Sequence, residues 1–224
     1  MSNPSVTSKE FTAQLVAEMN QLFAGLGERE TLEAESDGQV EVVTLLKLAL
    51  KSELEASELA AFWMPSTPEV DAKRLLAEQC GDEMKHYEMI ARRLGELGVD
   101  LEGFNPMEEG YTPLYHYLKG LRTTVERIAA GPFAREAIAR VRNRQFINFC
   151  IAVGDHGTAD LYESVIHPEE IRHHILSREF LEGYCKTPEL QEMAANAART
   201  TLAIADELRT LKEKTTGLHA IPVS

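Results

Sequence analysis

Two short stretches of the chain carry the same pattern of chemically capable side chains. Asp82-Glu83-Met84-Lys85-His86 reads acid, glutamate, apolar, base, histidine, and Glu169-Glu170-Ile171-Arg172-His173 reads the same way 87 residues later. Each sets a glutamate and a histidine three positions apart. On a helix, positions i and i+3 share a face, so one carboxylate and one imidazole converge on a common point. Nitrogen and oxygen donors without a thiolate suit iron or manganese, not a structural zinc site. Two such helices supply two nitrogens and two carboxylates. A pair of divalent or trivalent ions is neutralised best by about four carboxylates, so two partner helices must each add one. A lone Glu-x-x-His says little in a chain with 29 Glu and 7 His. An exposed i,i+3 couple on a solvated face is the competing interpretation, and the matched flanking residues of the second copy weigh against it.

These side chains need long helices to position them. Phe11, Leu15, Met19, Leu22 and Phe23 fall at helical spacing over residues 8–25, and Gly25 and Gly27 end that segment. The acidic, polar stretch 28–39 reads as a loop. A core helix is expected over 40–64, broken by Pro-Ser-Thr-Pro-Glu, with Thr67 as N-cap and Pro68 at the first position of a second helix over 68–97. Residues 101–113 form the longest linker. A third helical region starts near Pro113, and Gly131-Pro132 predicts a kink or short break within it. Gly154-Asp155-His156-Gly157 predicts a turn. A fourth helix follows from Thr158 to about residue 184 with Pro168 inside it. A last helix over 188–214 carries the stripe Leu190, Met193, Ala197, Ile204, Leu208 and Leu211. There is no convincing period-two strand. The fold expected is all-α: an antiparallel four-helix bundle with additional N- and C-terminal helices. Its divisions are residues 1–39 (N-terminal helix and acidic loop), 40–186 (bundle) and 187–224 (C-terminal helix and tail packed on the bundle).

The two Glu-x-x-His motifs together resemble the ferritin-like di-iron carboxylate superfamily over roughly residues 40–185. That family's pattern is Glu on the first helix, Glu-x-x-His on the second, Glu on the third and Glu-x-x-His on the fourth. For the first helix the candidates are Glu53, Glu55 and Glu58. Glu53 is favoured, because Glu53-Leu54-Glu55-Ala56-Ser57 resembles the run around the first-helix glutamate of ferritins, and Glu58 comes next. Glu53 also shares its face with the small or apolar Leu46, Ala49, Leu50, Ser57 and Ala60. For the third helix the level-matched carboxylate is Glu136. Asp155, on a stripe with Val141, Gln145, Asn148 and Ala152, and Glu163 stay open if the turn falls later. The expected ligands are therefore Glu53, Glu83, His86, Glu136, Glu170 and His173, with His174 an alternative to His173. His116, His156, His167 and His219 read as surface or capping residues. Cys80 reads as a small core residue, and Tyr87 and Tyr162 as packing neighbours of the site. The resemblance implies two Fe ions (or Fe/Mn) and an O2-dependent oxidoreductase, most like the small bacterial oxygenase branch. Such an enzyme oxygenates or oxidises a small organic or CoA-linked substrate, with electrons from a separate reductase. A ferroxidase or peroxide-scavenging protein of the ferritin or rubrerythrin kind is the alternative. A bundle that has lost its metal and serves a binding role is a third.

Bulk properties bound the rest. A formal charge of −13 over 224 residues argues against general nucleic-acid binding, which needs a basic face. Arg135, Arg140, Arg142 and Arg144 nonetheless cluster on the third helix, where one could neutralise an anionic substrate. The longest mostly apolar run, Phe146–Val153, is interrupted by Asn148 and too short to span a bilayer, so no membrane role is expected. The N-terminal residues carry no apolar signal core, and a cytoplasmic homodimer is expected. Cys80, Cys150 and Cys185 form no Cys-x-x-Cys and read as reduced thiols.

Overall fold

A computed structural model of the protein describes residues 6–24, 32 and 40–216, with side chains up to residue 208. The described residues are all-α, with no strand among them. The helices are α1 (Ser8–Ala24), α2 (Val42–Trp63), α3 (Val70–Glu96), α4 (Pro113–Lys119), α5 (Thr124–Ile128), α6 (Glu136–Ala152), α7 (His156–Leu161), α8 (His167–Tyr184) and α9 (Pro188–Thr216). The loop expected over 28–39 and the tail with His219 lie outside the described residues, except Leu32, which is helical and buried. No described helix is long and apolar enough to cross a membrane. The three cysteines are free thiols.

The long helices form because apolar residues recur at three- and four-residue spacing, and each stripe carries a polar interruption at one level. On α2 the buried stripe is Leu46, Leu50, Glu53, Ser57, Ala60 and Trp63. On α3 it is Ala72, Leu76, Gln79, Glu83, His86, Ile90 and Leu94. The start of α3 differs from expectation. Glu69 is its N-cap, and the Thr67 hydroxyl instead donates 2.9 Å to the Trp63 carbonyl, closing the short 3-10 turn Met64–Ser66. Both α3 and α6 end in Schellman turns. Gly98 (φ +81) and Gly154 (φ +83) take the left-handed conformation that a side chain disfavours, and Val99 and Asp155 donate back to Leu94 and Cys150 at 3.0 and 2.8 Å. The turn expected at 154–157 is present, and Asp155 N-caps α7 through Thr158.

The third helical region breaks at a different place from the one expected. The chain interrupts at 120–123, where Thr123 and Glu126 form a reciprocal capping box that starts α5. At Gly131-Pro132 it continues through a π-helical segment, Ala129–Arg135, into α6. A π turn accommodates a residue that lacks an N–H and whose ring crowds the carbonyl four residues back. Pro168 is handled similarly. The π-helical segment Tyr162–Ile166 joins α7 to α8, so the helix runs on past the proline instead of breaking. Gly131 is required for a second reason: a Cβ there would lie 2.8 Å from Cζ3 of the buried Trp63.

Two apolar clusters flank the polar level. One contains Ala60, Trp63, Leu76, Ile128, Phe133 and Leu181, and the other Leu46, Leu50, Ile90, Ile147, Tyr162 and Ile166. Along α2 and α8 the chain passes from one cluster to the other in one sense at each end of the polar level, and along α3 and α6 in the matching opposite sense. Hence α2 runs antiparallel to α3, and α6 antiparallel to α8, while residues 97–123 return the chain along the molecule between α3 and α5. The N-terminal α1 packs on α8, and α9 packs on α5 and the π segment 129–135.

Candidate metal centre

The polar level brings all six expected side chains together. Glu53, Glu83, His86, Glu136, Glu170 and His173 are each at most 7% exposed. Glu53, Glu83, His86 and Glu170 offer ligand atoms all within 4.8 Å of one another, and so do Glu83, Glu136, Glu170 and His173. The two sets share Glu83 and Glu170, one from each Glu-x-x-His helix. His86 Nδ1 lies 3.5 Å from Glu53 Oε2, 3.5 Å from Glu83 Oε2 and 3.7 Å from Glu170 Oε1. His173 Nδ1 lies 3.8 Å from Glu83 Oε1 and 3.7 Å from Glu170 Oε2. Ligand atoms about 2.0–2.2 Å from a common ion can sit no further apart than about 4.4 Å, and the 3.5–3.8 Å spacings around the two Nδ1 atoms fall inside that limit.

The donor atoms themselves fit metal ions. Glu83 Oε2, His86 Nδ1, Glu136 Oε2, Glu170 Oε2 and His173 Nδ1 are buried and have no hydrogen-bond partner. Leaving a buried polar atom unpaired costs about 1–3 kcal/mol, more when it is charged. Five such atoms, from residues gathered at one level, are compatible with bound cations there. The electrostatics agree. Burial first, then the neighbouring Glu53 carboxylate, raises the Glu83 pKa, and burial with Glu136 and Glu83 raises that of Glu170 well above the usual range. Burial alone would depress the His86 imidazolium, but Glu53 and Glu83 outweigh it and raise its pKa to about 11. Glu53 stays below its ordinary value despite burial, held there by His86.

The outer nitrogens of the two histidines are held crosswise. His86 Nε2 lies 2.7 Å from Glu169 on α8, and His173 Nε2 lies 3.1 Å from Asp82 on α3. Each acid is the residue just before the glutamate of its own motif, so each Glu-x-x-His helix orients the other's imidazole. A carboxylate on Nε2 takes the N–H there and turns the Nδ1 lone pair inward. The matched bases complete the arrangement. Lys85 bonds Asp82 at 2.9 Å and approaches Glu169 at 3.6 Å, and Arg172 bonds Asp82 at 2.6 Å and also pairs with Glu78.

The alternative ligands are occupied elsewhere. Glu55 accepts from the Thr112 amide and hydroxyl, both at 2.7 Å, and Glu58 accepts from Tyr111. Asp155, the N-cap of α7, pairs with Arg93 at 2.7 Å, and its supposed stripe fails because Asn148 and Ala152 are exposed. Glu163 sits at the surface beside Arg144. His174 stacks on Phe133 and bonds its carbonyl at 2.8 Å. His116 and His156 are exposed, whereas His167 is buried, which lowers its pKa. Cys80 packs against the Ser57 hydroxyl. Tyr162, buried between Phe146 and the site, lines a small cavity with Glu53 and Glu170. Tyr87 packs against the second apolar cluster.

Two polar neighbours complete the level: Gln79, which the sequence reading did not single out, and Arg135, which it read only as one of four clustered basic residues. Gln79 donates 2.7 Å to Glu136 Oε1, and Arg135 donates 3.2 Å to the same oxygen while bonding the Ser52 carbonyl and hydroxyl at 2.9 and 3.0 Å. Burial works against the Arg135 charge, but Glu136, Glu83 and Glu53 hold it firmly protonated. The signal for Gln79 was present: it lies one turn before Glu83 on the buried stripe of α3. No family model, curated protein or solved structure matches the chain.

Proposed function

We propose that the protein is a non-haem di-iron, or iron–manganese, oxidoreductase that uses O2 to oxygenate or oxidise a small organic substrate. The observation that carries this reading is the pair of overlapping four-residue sets sharing Glu83 and Glu170, with five unpartnered donor atoms facing inward. Glu53 and His86 would hold one ion, Glu136 and His173 the other, and Glu83 and Glu170 would serve both. Four carboxylates balance two divalent charges, and the nitrogen–oxygen donor set suits iron or manganese. The antiparallel helix pairs joined by one long return connection support the ferritin-like resemblance.

Bound redox ions would supply the electrons and Lewis acidity that O2 activation requires. The chain's own part is distinct. Asp82 and Glu169 orient the imidazoles, the two apolar clusters exclude water from both ends of the level, and Gln79 and Arg135 hold Glu136 in place. Inserting one oxygen atom into a C–H bond consumes O2, two electrons and two protons and releases water, so a separate reductase is the expected electron donor. The test is oxygen uptake by anaerobically Fe(II)-loaded protein with a chemical reductant. Sustained uptake that stops in Glu83→Ala supports the reading. Iron-loaded protein that consumes no O2, or a variant that consumes it as fast as the wild type, refutes it.

A further inference from the structure

A chamber of about 300 Å³ lies among α1, α2, α4, α6 and α9. Its wall is mostly apolar, with Phe23 from α1, Leu48 from α2, Leu114 from α4, Ile138 from α6, and Leu202 and Leu208 from α9. None of the six candidate metal ligands is among its described wall residues, so its chemistry is set by that wall alone. An apolar enclosure with few polar groups is the usual make-up of a small-molecule site.

The charged groups of the wall are engaged with the protein itself. Glu55 accepts from the Thr112 amide and hydroxyl. Arg135 donates to Ser52 and Glu136. Arg142 and Asp206 have partners as well. The other charged wall residue, Lys51, is only partly buried, and an ion pair open to water contributes little. A charged ligand would therefore leave water for a wall with no strong counter-charge free to receive it, and burying an unpaired charge is costly. A neutral apolar ligand meets no such cost and gains from leaving water. Volume sets its size. An apolar cavity of about 150 Å³ accepts benzene, so one of about 300 Å³ suits a molecule of about two fused rings.

We propose that this chamber is a binding site for a neutral, apolar molecule the size of two fused rings, and that it rejects charged molecules of the same shape. The site is separate from the ligand set of the candidate metal centre and does not rest on the oxidoreductase reading.

The experiment is equilibrium dialysis of the full chain against naphthalene, 2-naphthoate and naphthalen-2-ylmethylammonium, with bound probe measured by its fluorescence. Naphthalene is expected to saturate at one molecule per chain and to bind at least about tenfold more tightly than either ion. Ala205→Trp on α9 and Ile138→Trp on α6 each place an indole at the chamber wall and are each expected to abolish naphthalene binding. A measurement on the wild type removes any dependence on how the variants fold: isotope-filtered NMR should show naphthalene protons close to the methyl groups of Leu48 and Leu202. A full chain that does not bind naphthalene, or binds it without saturation, overturns the proposal, whichever other segment or copy of the chain fills the chamber. Either ion binding as tightly as naphthalene overturns it too. So does naphthalene binding that is unchanged in both tryptophan variants, or contact only with methyl groups outside the chamber.

Discussion

The crosswise support of the histidines makes a position-specific prediction. Asp82 sits on α3 four residues before His86, yet it holds His173 on α8. Asp82→Ala should therefore damage the ion position of the other helix. His173 is 2% exposed, so its Nε2 would lose its acceptor with little access to replacement water. Loss of the carboxylate behind a ligating histidine typically costs about 10–100-fold in metal affinity. At about 1.4 kcal/mol per tenfold, that is about 1.4–2.7 kcal/mol. The Asp82 side chain is 13% exposed and the Glu169 side chain 26%. Water replaces Glu169 more readily, so Asp82→Ala should fall toward the hundredfold end and Glu169→Ala toward the tenfold end. The assay is anomalous diffraction from crystals soaked at graded Mn(II) concentrations, which reads occupancy at each position. Asp82→Ala should deplete the position at Glu136 and His173 and spare that at Glu53 and His86, and Glu169→Ala should do the reverse. Depletion beside His86 in Asp82→Ala, or undiminished occupancy at both positions, would refute the crosswise account.

Other consequences are more local. Metal at a hundred times its dissociation constant stabilises a protein by about 2.7 kcal/mol. For a chain of this size the melting temperature should rise by about 5–11 °C on loading, by calorimetry, and a chelator should reverse it. Gly131→Ala should lower the melting temperature although alanine is the better helix former. The added Cβ meets the Trp63 ring at 2.8 Å, and overpacking of about 1–3 kcal/mol outweighs a propensity gain of about 1 kcal/mol or less; a raised value would show that the ring yields. Burial would raise the Asp155 pKa, but the Thr158 hydrogen bonds and Arg93 outweigh it and hold it below 3.8. A depressed folded-state pKa stabilises above the unfolded value and loses that contribution as pH falls through the folded one. Asp155→Ala should cost about 1 kcal/mol at pH 7, the usual worth of an N-cap. In urea titrations the gap from wild type should narrow below about pH 4, and a gap unchanged at pH 2 would contradict the assignment.

Much of the site was legible because its chemistry is written at helical spacing. The repeated Glu-x-x-His locates four of the candidate ligands without any tertiary information. Glu53 could be favoured from its face and from its flanking run, but Glu136 could be ranked only by level along its helix, which requires knowing where the turns fall. The turn at Gly154 was readable from its glycine and from Asp155, whose cap role then removed it from the ligand candidates. Breaks were harder to place. Gly131-Pro132 looks like one, yet a π turn accommodates the proline and carries the helix through, and the glycine is there because Trp63 packs where a side chain would otherwise stand. The true interruption near Thr123 rests on a capping box, Thr123 with Glu126, that the sequence reading passed over. Arg135 was visible as a charge on the third helix, but its role depends on Ser52 and Glu136 meeting across two helices. The apolar chamber among α1, α2, α4, α6 and α9 has no local signature at all.

Metal content of the wild type and Glu83→Ala, after expression in iron- and manganese-supplemented medium, tests the central claim most directly. Glu83 belongs to both ligand sets. Two ions per wild-type chain, with both lost or nearly lost in the variant, is the predicted result. A wild-type protein carrying neither iron nor manganese, or a variant that retains its full complement, would contradict it.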